Sequence, residues 1–190
     1  NGLIVSIGKN LTAPKGITEL DASYKCLLPG MIDAHIHLFQ SGGLYTRPDA
    51  IDLRTVKPYD QEIQWLKEHA SDLLKSYLRI GVTTVIDVGG PMYNYQLRAF
   101  YNHSDDHPDI FLTGPLISTY QPEELRVEDP PIIKANNEED ARELVRRQIP
   151  LRPDFIKIWY ISRPNLSASS TYDIISAAID ESHKHGLDVA

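Results

Sequence analysis

Hydrophobic and polar positions follow two different patterns along the chain, and the change between them falls near residue 29. Residues 1–28 contain short apolar runs separated by turn residues such as Pro14 and Gly16, and no helical period is present. The runs predict three short strands, at Leu3–Ile7, Ile17–Asp21 and Cys26–Leu28. This part of the chain is therefore expected to be rich in β-structure.

From residue 29 onward, β-type and helical segments alternate. Apolar residues between Asp60 and Arg79 recur every three or four positions, which predicts an amphipathic helix ended by Gly81. Three further helices are predicted, over Tyr95–Tyr101, after the capping residue Asn137, and over Thr171–His185. Strands are predicted at residues 31–38, 83–87, 109–114 and 155–159, with a fifth beginning at 187. Long loops are expected at 43–59 and 115–136.

Alternating strands and helices indicate an α/β fold with a parallel sheet. Four complete units and the start of a fifth correspond to the first half of a (β/α)8 TIM barrel, which typically needs about 250 residues. A doubly wound sheet is the competing arrangement. We also expect the sequence to be truncated, because it has no initiator Met and stops within the apolar run LDVA.

Composition excludes two classes of partner. The formal net charge is -7 and no Lys/Arg cluster is present, which argues against nucleic-acid binding. The apolar runs are too short to predict a membrane span. The single cysteine, Cys26, rules out an internal disulfide and is typical of a reducing compartment, which favours the cytoplasm; we expect its side chain to be buried.

His35 and His37 are the first candidate metal ligands. They lie two positions apart on a predicted strand, so both side chains should point to the same face. Two neutral imidazoles near the end of a strand can chelate one ion, with zinc favoured and iron, nickel or cobalt also suitable. Histidine pairs at this spacing also occur as ordinary strand residues, so the pair alone does not decide.

Lys157 and Asp87 are the other candidates. Lys157 lies between Ile156 and Ile158 on a predicted buried strand, where a charged amine is costly unless it is paired or neutralised. A neutral amine can react with carbon dioxide to give an anionic carbamate that bridges two cations; the alternative is a lysine that extends to the barrel mouth. Asp87 ends the second strand and could support a ligand histidine, or simply form a turn.

Five segments carry a resemblance to a known family: NGLIVSIGKN, ITELDASYKCLLPGMIDAHIHL, GVTTVIDVGG, DFIKIWY and ESHKHGLDVA. In this order they resemble the amidohydrolase superfamily, and most closely its imidazolonepropionase-like and prolidase-like branch. The resemblance implies part of a small β-sandwich at 1–28 and the first four to five units of a TIM-barrel metallohydrolase at 29–190. It also implies that His35 and His37 are metal ligands and that Lys157 is a carboxylated, metal-bridging lysine.

The function implied by the resemblance is hydrolysis of an amide, cyclic amide or peptide bond by a metal-activated water. The expected cofactor is one or two divalent ions, most simply Zn²⁺, and the substrate a small amide or dipeptide. The family's remaining ligands and its catalytic aspartate would follow residue 190, and a homo-oligomer is compatible with this assignment. A mononuclear deaminase and a non-catalytic assembly protein are the alternatives.

Three residues are candidates for contact with the substrate. Gln40 and Arg47 belong to the loop after the first barrel strand, and such loops form the pocket of a TIM barrel. Arg47 could bind a substrate carboxylate. Tyr160 follows Lys157 and could donate a hydrogen bond to a substrate oxygen. For each of them, ordinary loop packing is the alternative interpretation.

Overall fold

A computed structural model of the chain describes residues 3–40, 42–161 and 168–190. The α/β character predicted from the sequence is confirmed, because strands and helices alternate after residue 30. Its strands are β1 (Met31–Ile36), β2 (Val82–Asp87), β3 (Asp109–Leu112), β4 (Leu116–Ser118) and β5 (Ile132–Lys134). Its helices are α1 (Tyr59–Arg79), α2 (Asn94–Tyr101), α3 (Glu138–Gln148) and α4 (Ala168–Lys184).

The first three strands form one parallel sheet with β2 in the middle. Asp87 at the end of β2 lies opposite Ile36 of β1 and Leu112 of β3, so the carboxyl ends of the strands are level. The strands are parallel, as predicted. After each strand, a helix or a long connection brings the chain back to the end of the sheet where that strand began, so the next strand runs in the same direction.

A bend at Thr113, Gly114 and Pro115 separates β3 from β4, which pairs in parallel with β5. On its other side β4 lies beside residues 156–158, with the amide of Ile117 donating to the carbonyl of Lys157 at 3.0 Å. Residues 188–190 lie beside 156–158 in turn. The predicted fourth and fifth strands are therefore present only as isolated bridges, but in the predicted place.

The main segments lie side by side in chain order: β1, β2, β3 with its continuation β4, residues 156–158 and residues 188–190, while β5 is added on the other side of β4. This sequential order is the one found in a (β/α)8 barrel, whereas a doubly wound sheet reverses its order after the first strands. Closure into a barrel stays a prediction.

Two buried clusters hold the helices against the strands. Leu74 of α1 packs with Val85, Ile110 and Leu112 of the first sheet. Ala141 and Val145 of α3 pack with Ala177 and Ala178 of α4 over Ile117 and Ile156. Asn137 caps α3 as predicted, because its side chain accepts a hydrogen bond from the amide of Asp140 at 2.8 Å. No helix in the described part of the chain is long and apolar enough to cross a membrane.

The structure corrects the prediction for residues 3–30. The turn at Pro14–Gly16 is present, but the strands predicted at Leu3–Ile7, Ile17–Asp21 and Cys26–Leu28 are not formed. The backbone N–H and C=O groups of a strand form hydrogen bonds with a neighbouring strand, and no described segment pairs with these residues. Their apolar side chains and Cys26 are exposed instead. The assignment of 1–28 to a β-sandwich stays a prediction.

A second correction concerns the loop predicted at 115–136. It contains β4 and β5, which the sequence analysis did not predict. The strands are only three residues long, and the prolines around them, Pro122, Pro130 and Pro131, favour a loop.

Candidate metal centre

A cavity of about 210 Å³ opens beyond the carboxyl end of β1. His35 and His37 line it together with Gln40 and Arg47, which belong to the loop that follows β1. Lys157 lines the same cavity, because its segment lies beside β4. The structure therefore brings five of the seven predicted site residues into one space.

The two histidines are held close to each other, with ring centroids 5.6 Å apart and ring planes nearly perpendicular. Nδ1 of His37 lies 2.8 Å from the carbonyl oxygen of Gly89. A carbonyl can only accept, so Nδ1 carries the proton and donates it. The lone pair of the ring is therefore on Nε2, which is the arrangement a metal ligand requires.

The surroundings of His37 favour its neutral form. Burial lowers the pKa of His37, and the positive charges of His35, Arg47 and Lys157 act in the same direction. The hydrogen bond to Gly89 opposes this effect without reversing it. Since only neutral imidazole binds a metal, the site is prepared for coordination near neutral pH.

Asp87 is fully buried at the end of β2, and burial raises its pKa to about 7. Its carboxylate accepts hydrogen bonds from the side-chain amide of Asn94 at 2.7 Å and from the backbone amide of Gly89 at 3.2 Å. The prediction placed Asp87 directly against a ligand histidine. Within the described residues it instead bonds to Gly89, whose carbonyl then holds His37, so its support for the histidine is indirect.

Lys157 is half-buried, and no carboxylate among the described residues forms an ion pair with it. Its neighbour Ile156 is fully buried between the helices and the strands, so alternation along the segment turns Lys157 toward the cavity. An amine in this position shares its space with two imidazoles and forms no ion pair among the described residues.

Arg47 forms a salt bridge with Asp49, a residue of the same loop. Its Nε and Nη2 donate to the two carboxylate oxygens of Asp49, both at 2.8 Å, and this forked pair raises the pKa of Arg47. Asp49 also lines the cavity. The fork uses two of the five guanidinium donors, so the remaining N–H groups can reach a ligand.

Tyr160 is not among the residues that line the cavity. Its hydroxyl lies 3.5 Å from Oγ1 of Thr171, and its side chain is exposed. Trp159 lines the cavity in its place. Strand-like alternation explains the difference, because the residue two positions from Lys157 shares its side and the residue three positions away does not. The same rule would have found Trp159 from the sequence.

The residues present fit a metal ion in part. Two adjacent imidazoles supply two nitrogen ligands, and a carbamate on Lys157 would add oxygen ligands. The described residues contain no group of three His, Cys, Asp or Glu side chains that could hold a metal ion. Zinc sites use three or four protein ligands, so further ligands would be needed to complete this one.

No protein-family model matches the chain. A dihydroorotase from Pelobacter propionicus is 45% identical over 42 residues, which are 22% of this chain and 10% of that protein. The fold is similar to that of a solved amidohydrolase, with a TM-score of 0.67 and 21% identity over 95% of this chain. A candidate prolidase from Bifidobacterium longum has a TM-score of 0.61, 24% identity and the same coverage.

The chain spans less than half of either solved structure, 46% and 39% respectively. At this level of identity, the likeness shows that the chain has the fold of the corresponding part of amidohydrolase-type proteins. The imidazolonepropionase-like branch named from the sequence stays a prediction.

Proposed function

We propose that this chain forms one part of a metal-dependent hydrolase that cleaves carbon–nitrogen bonds of amides, cyclic amides or peptides. The observation that carries the proposal is the shared cavity of His35, His37 and Lys157, in which the Gly89 carbonyl leaves Nε2 of His37 available. The likeness to proteins described as an amidohydrolase and as dihydroorotases supports it.

His35 and His37 would hold one divalent ion, with zinc the simplest choice for imidazole ligands. A bound divalent ion lowers the pKa of a water ligand toward neutrality and polarises a substrate carbonyl. The general base, expected to be an aspartate, would come from outside this chain. The residues described here therefore bind and position, and they do not transfer the proton themselves.

Lys157 would complete a binuclear site as a carbamate. To form it, the amine of Lys157 would give up a proton to solvent and attack the carbon of carbon dioxide; a nitrogen–carbon bond would form, one carbon–oxygen π bond would open, and a second amine proton would pass to solvent to leave an anion. The lack of a described ion pair at Lys157 supports this role, since the carbamate replaces a cation by a group that attracts cations.

Gln40 and Arg47 would bind the substrate, a small amide or dipeptide. Arg47 is the better candidate for recognition of a carboxylate, because its guanidinium lines the cavity and keeps free donors beyond the fork with Asp49. Tyr160 has no place in this scheme, since its side chain lies outside the cavity.

The experiment uses the full-length protein and measures metal content together with hydrolysis of N-acyl amino acids, dipeptides and cyclic amides. His35→Ala, His37→Ala and Lys157→Met should each lower metal content, with at least about a hundredfold loss of activity. His103→Ala is the matched control, because His103 is exposed and is not one of the residues that line the cavity.

Three outcomes would contradict the proposal in different ways. One tightly bound ion per chain that survives Lys157→Met would favour a mononuclear deaminase. A His35→Ala and His37→Ala double variant that keeps its biological activity would favour a non-catalytic assembly protein. Metal bound equally by the control and the three site variants would place the ion elsewhere.

A further inference from the structure

One part of the lining of the cavity that holds the two histidines is apolar, and it is called the wall here. Beside the polar residues already described, the cavity is lined by five hydrophobic side chains: Phe39, Leu116, Leu125, Ile132 and Trp159. Four of these come from β4, β5, their connection and the segment after Lys157, and only Phe39 belongs to the β1 loop. The metal ligands and the apolar wall are thus supplied by largely different parts of the chain.

The apolar wall packs against other buried side chains of the protein. Leu116, Leu125 and Ile132 form a buried cluster with Tyr59, and Ile63 of α1 packs against it. The connection between β4 and β5 is tied down at its far end, where the carboxylate of Asp129 accepts hydrogen bonds from the amides of Met92 and Tyr93 at 2.8 and 3.0 Å. A wall that is ordered before binding loses little entropy when a ligand arrives.

Trp159 is fixed by hydrogen bonds at both ends of its backbone unit. Its amide donates to the carbonyl of Ile117 at 2.9 Å, and its carbonyl accepts from the hydroxyl of Ser118 at 2.6 Å. The indole is therefore held on the same side as Lys157, two positions away. A half-buried aromatic ring at the edge of a polar site offers a large contact area.

The cavity has room for a bulky group. A dry apolar cavity of about 150 Å³ is large enough to bind benzene, and the present cavity measures about 210 Å³. One phenyl-sized or branched aliphatic group therefore fits beside His35, His37 and Lys157. A small, fully polar substrate would gain nothing from the half-exposed ring of Trp159 or from the buried side chains beside it.

We propose that this wall is a specificity pocket that binds a bulky apolar or aromatic group of the substrate next to the scissile carbon–nitrogen bond. The proposal rests on the proposed hydrolase function and narrows it to amides that carry such a group.

The kinetic test compares matched amides with the full-length metal-loaded protein. Two series are needed, N-acetyl amino acids with Phe, Leu, Ala or Asp, and N-acyl alanines with benzoyl, isovaleryl or acetyl groups. In one of the series, kcat/KM should rise at least about tenfold from the small to the bulky apolar group, which is the usual effect of a few methylenes in an apolar pocket. Equal values throughout both series would overturn the proposal.

Variants connect the preference to the wall. Trp159→Ala and Ile132→Ala should reduce the preference for the bulky group while metal content stays unchanged. Val127→Ala is the matched control, because Val127 lies in the same β4–β5 connection but lines a different cavity. Metal content and thermal midpoint identify a variant that has merely misfolded. A preference that survives both wall variants in folded protein would overturn the proposal.

A binding measurement separates this proposal from the proposed function. In full-length protein with Trp65 and any tryptophan outside these 190 residues replaced by Phe, Trp159 is the remaining tryptophan, and its fluorescence reports occupancy of the wall. We expect 3-phenylpropionate to quench it with a Kd at least about tenfold lower than that of propionate. Selective binding without hydrolysis of any amide would contradict only the hydrolase function, whereas equal binding of the two acids would overturn the pocket.

Discussion

Nδ1 of His37 and the carbonyl oxygen of Gly89 are joined by a hydrogen bond of 2.8 Å across two adjacent strands. The bond fixes which ring nitrogen of His37 is free. Gly89 is held in turn by Asp87, whose buried carboxylate accepts from its amide. A residue with no functional side chain of its own thus controls the orientation of a candidate metal ligand.

Substitution of Gly89 by alanine should damage both stability and metal binding. Gly89 has φ +130, and an added Cβ would lie 2.6 Å from Cδ1 of Leu116. We expect Gly89→Ala to lower the free energy of unfolding by about 1–3 kcal/mol and to weaken metal affinity about tenfold or more through displacement of the carbonyl. Denaturant unfolding and metal titration measure the two effects.

Gly186→Ala is the control for Gly89→Ala. Gly186 also has a positive φ, +72, but an added Cβ would have no neighbour within 4 Å. The Gly186→Ala variant should therefore lose stability through backbone strain alone, and its metal affinity should stay unchanged. Equal metal affinity in the two variants would show that the Gly89 carbonyl does not position His37.

Arg47→Gln tests recognition of a substrate carboxylate. For a carboxylate substrate we expect KM to rise at least about tenfold, with little change for the matching primary amide. Arg54→Gln is a close control, since Arg54 makes the same forked pair with Asp52 at 2.8 and 2.7 Å but does not line the cavity. Similar changes for the acid and the amide would assign Arg47 to loop packing.

Gln148 of α3 maintains the bend between β3 and β4. Its Oε1 accepts from the amide of Gly114 at 2.9 Å and from the hydroxyl of Tyr95 at 3.1 Å, and its Nε2 donates to the carbonyl of Pro115 at 3.1 Å. Gln148→Leu leaves these buried groups without partners and should lower the free energy of unfolding by at least about 2 kcal/mol.

Tyr95→Phe provides the graded comparison for Gln148→Leu. It removes only the bond between Tyr95 and Gln148 and should cost about 1 kcal/mol. Urea unfolding of both variants measures the difference. If the two variants were equally stable, the bonds to Gly114 and Pro115 would contribute nothing to the bend.

Glu181 of α4 gives a pH-dependent contribution to stability. Its carboxylate bonds to Arg146 at 2.7 Å and to Lys184 at 3.2 Å, and the pKa of Glu181 falls to about 2, chiefly through the hydrogen bond with Arg146. Because the folded pKa lies below the unfolded value of 4.5, the stabilisation is complete above pH 4.5 and is lost as the pH falls toward 2.

Thermal midpoints of Glu181→Gln and Glu139→Gln at pH 7 and pH 3 test this contribution. Among the described residues Glu139 bonds to Arg146 alone, and it is exposed, so its variant should lose less stability at pH 7. The deficit of Glu181→Gln should shrink at pH 3. A deficit that stayed constant between the two pH values would contradict an ionic origin.

Local patterns predicted the elements that depend on local chemistry. The three-and-four spacing placed α1 within one residue, Asn137 placed the start of α3, and the alternation of β1 placed His35 and His37 on one side. These features are decided by residues a few positions apart, so a single sequence contains them.

Features that depend on distant partners were not predictable in the same way. The strands expected at 3–30 have no pairing partner in the part of the chain that the structure describes, whereas β4 and β5 form because each meets the other across a connection rich in proline. The contact of Gly89 with His37 joins residues 52 positions apart. The role of Asp87 stays a prediction, and its contact with His37 through the backbone of Gly89 has no sequence signal.

The bend at Gly114 has a consequence for how this kind of protein can diversify. The bend separates β3 from β4. The strand β3 belongs to the sheet that carries the histidines, whereas β4, β5 and their connection supply most of the apolar wall. Insertions or exchanges between Leu116 and Ile132 can reshape the wall while the histidines keep their places. Related genes should therefore vary most in length within this connection, and laboratory evolution of new substrate preferences is best targeted there.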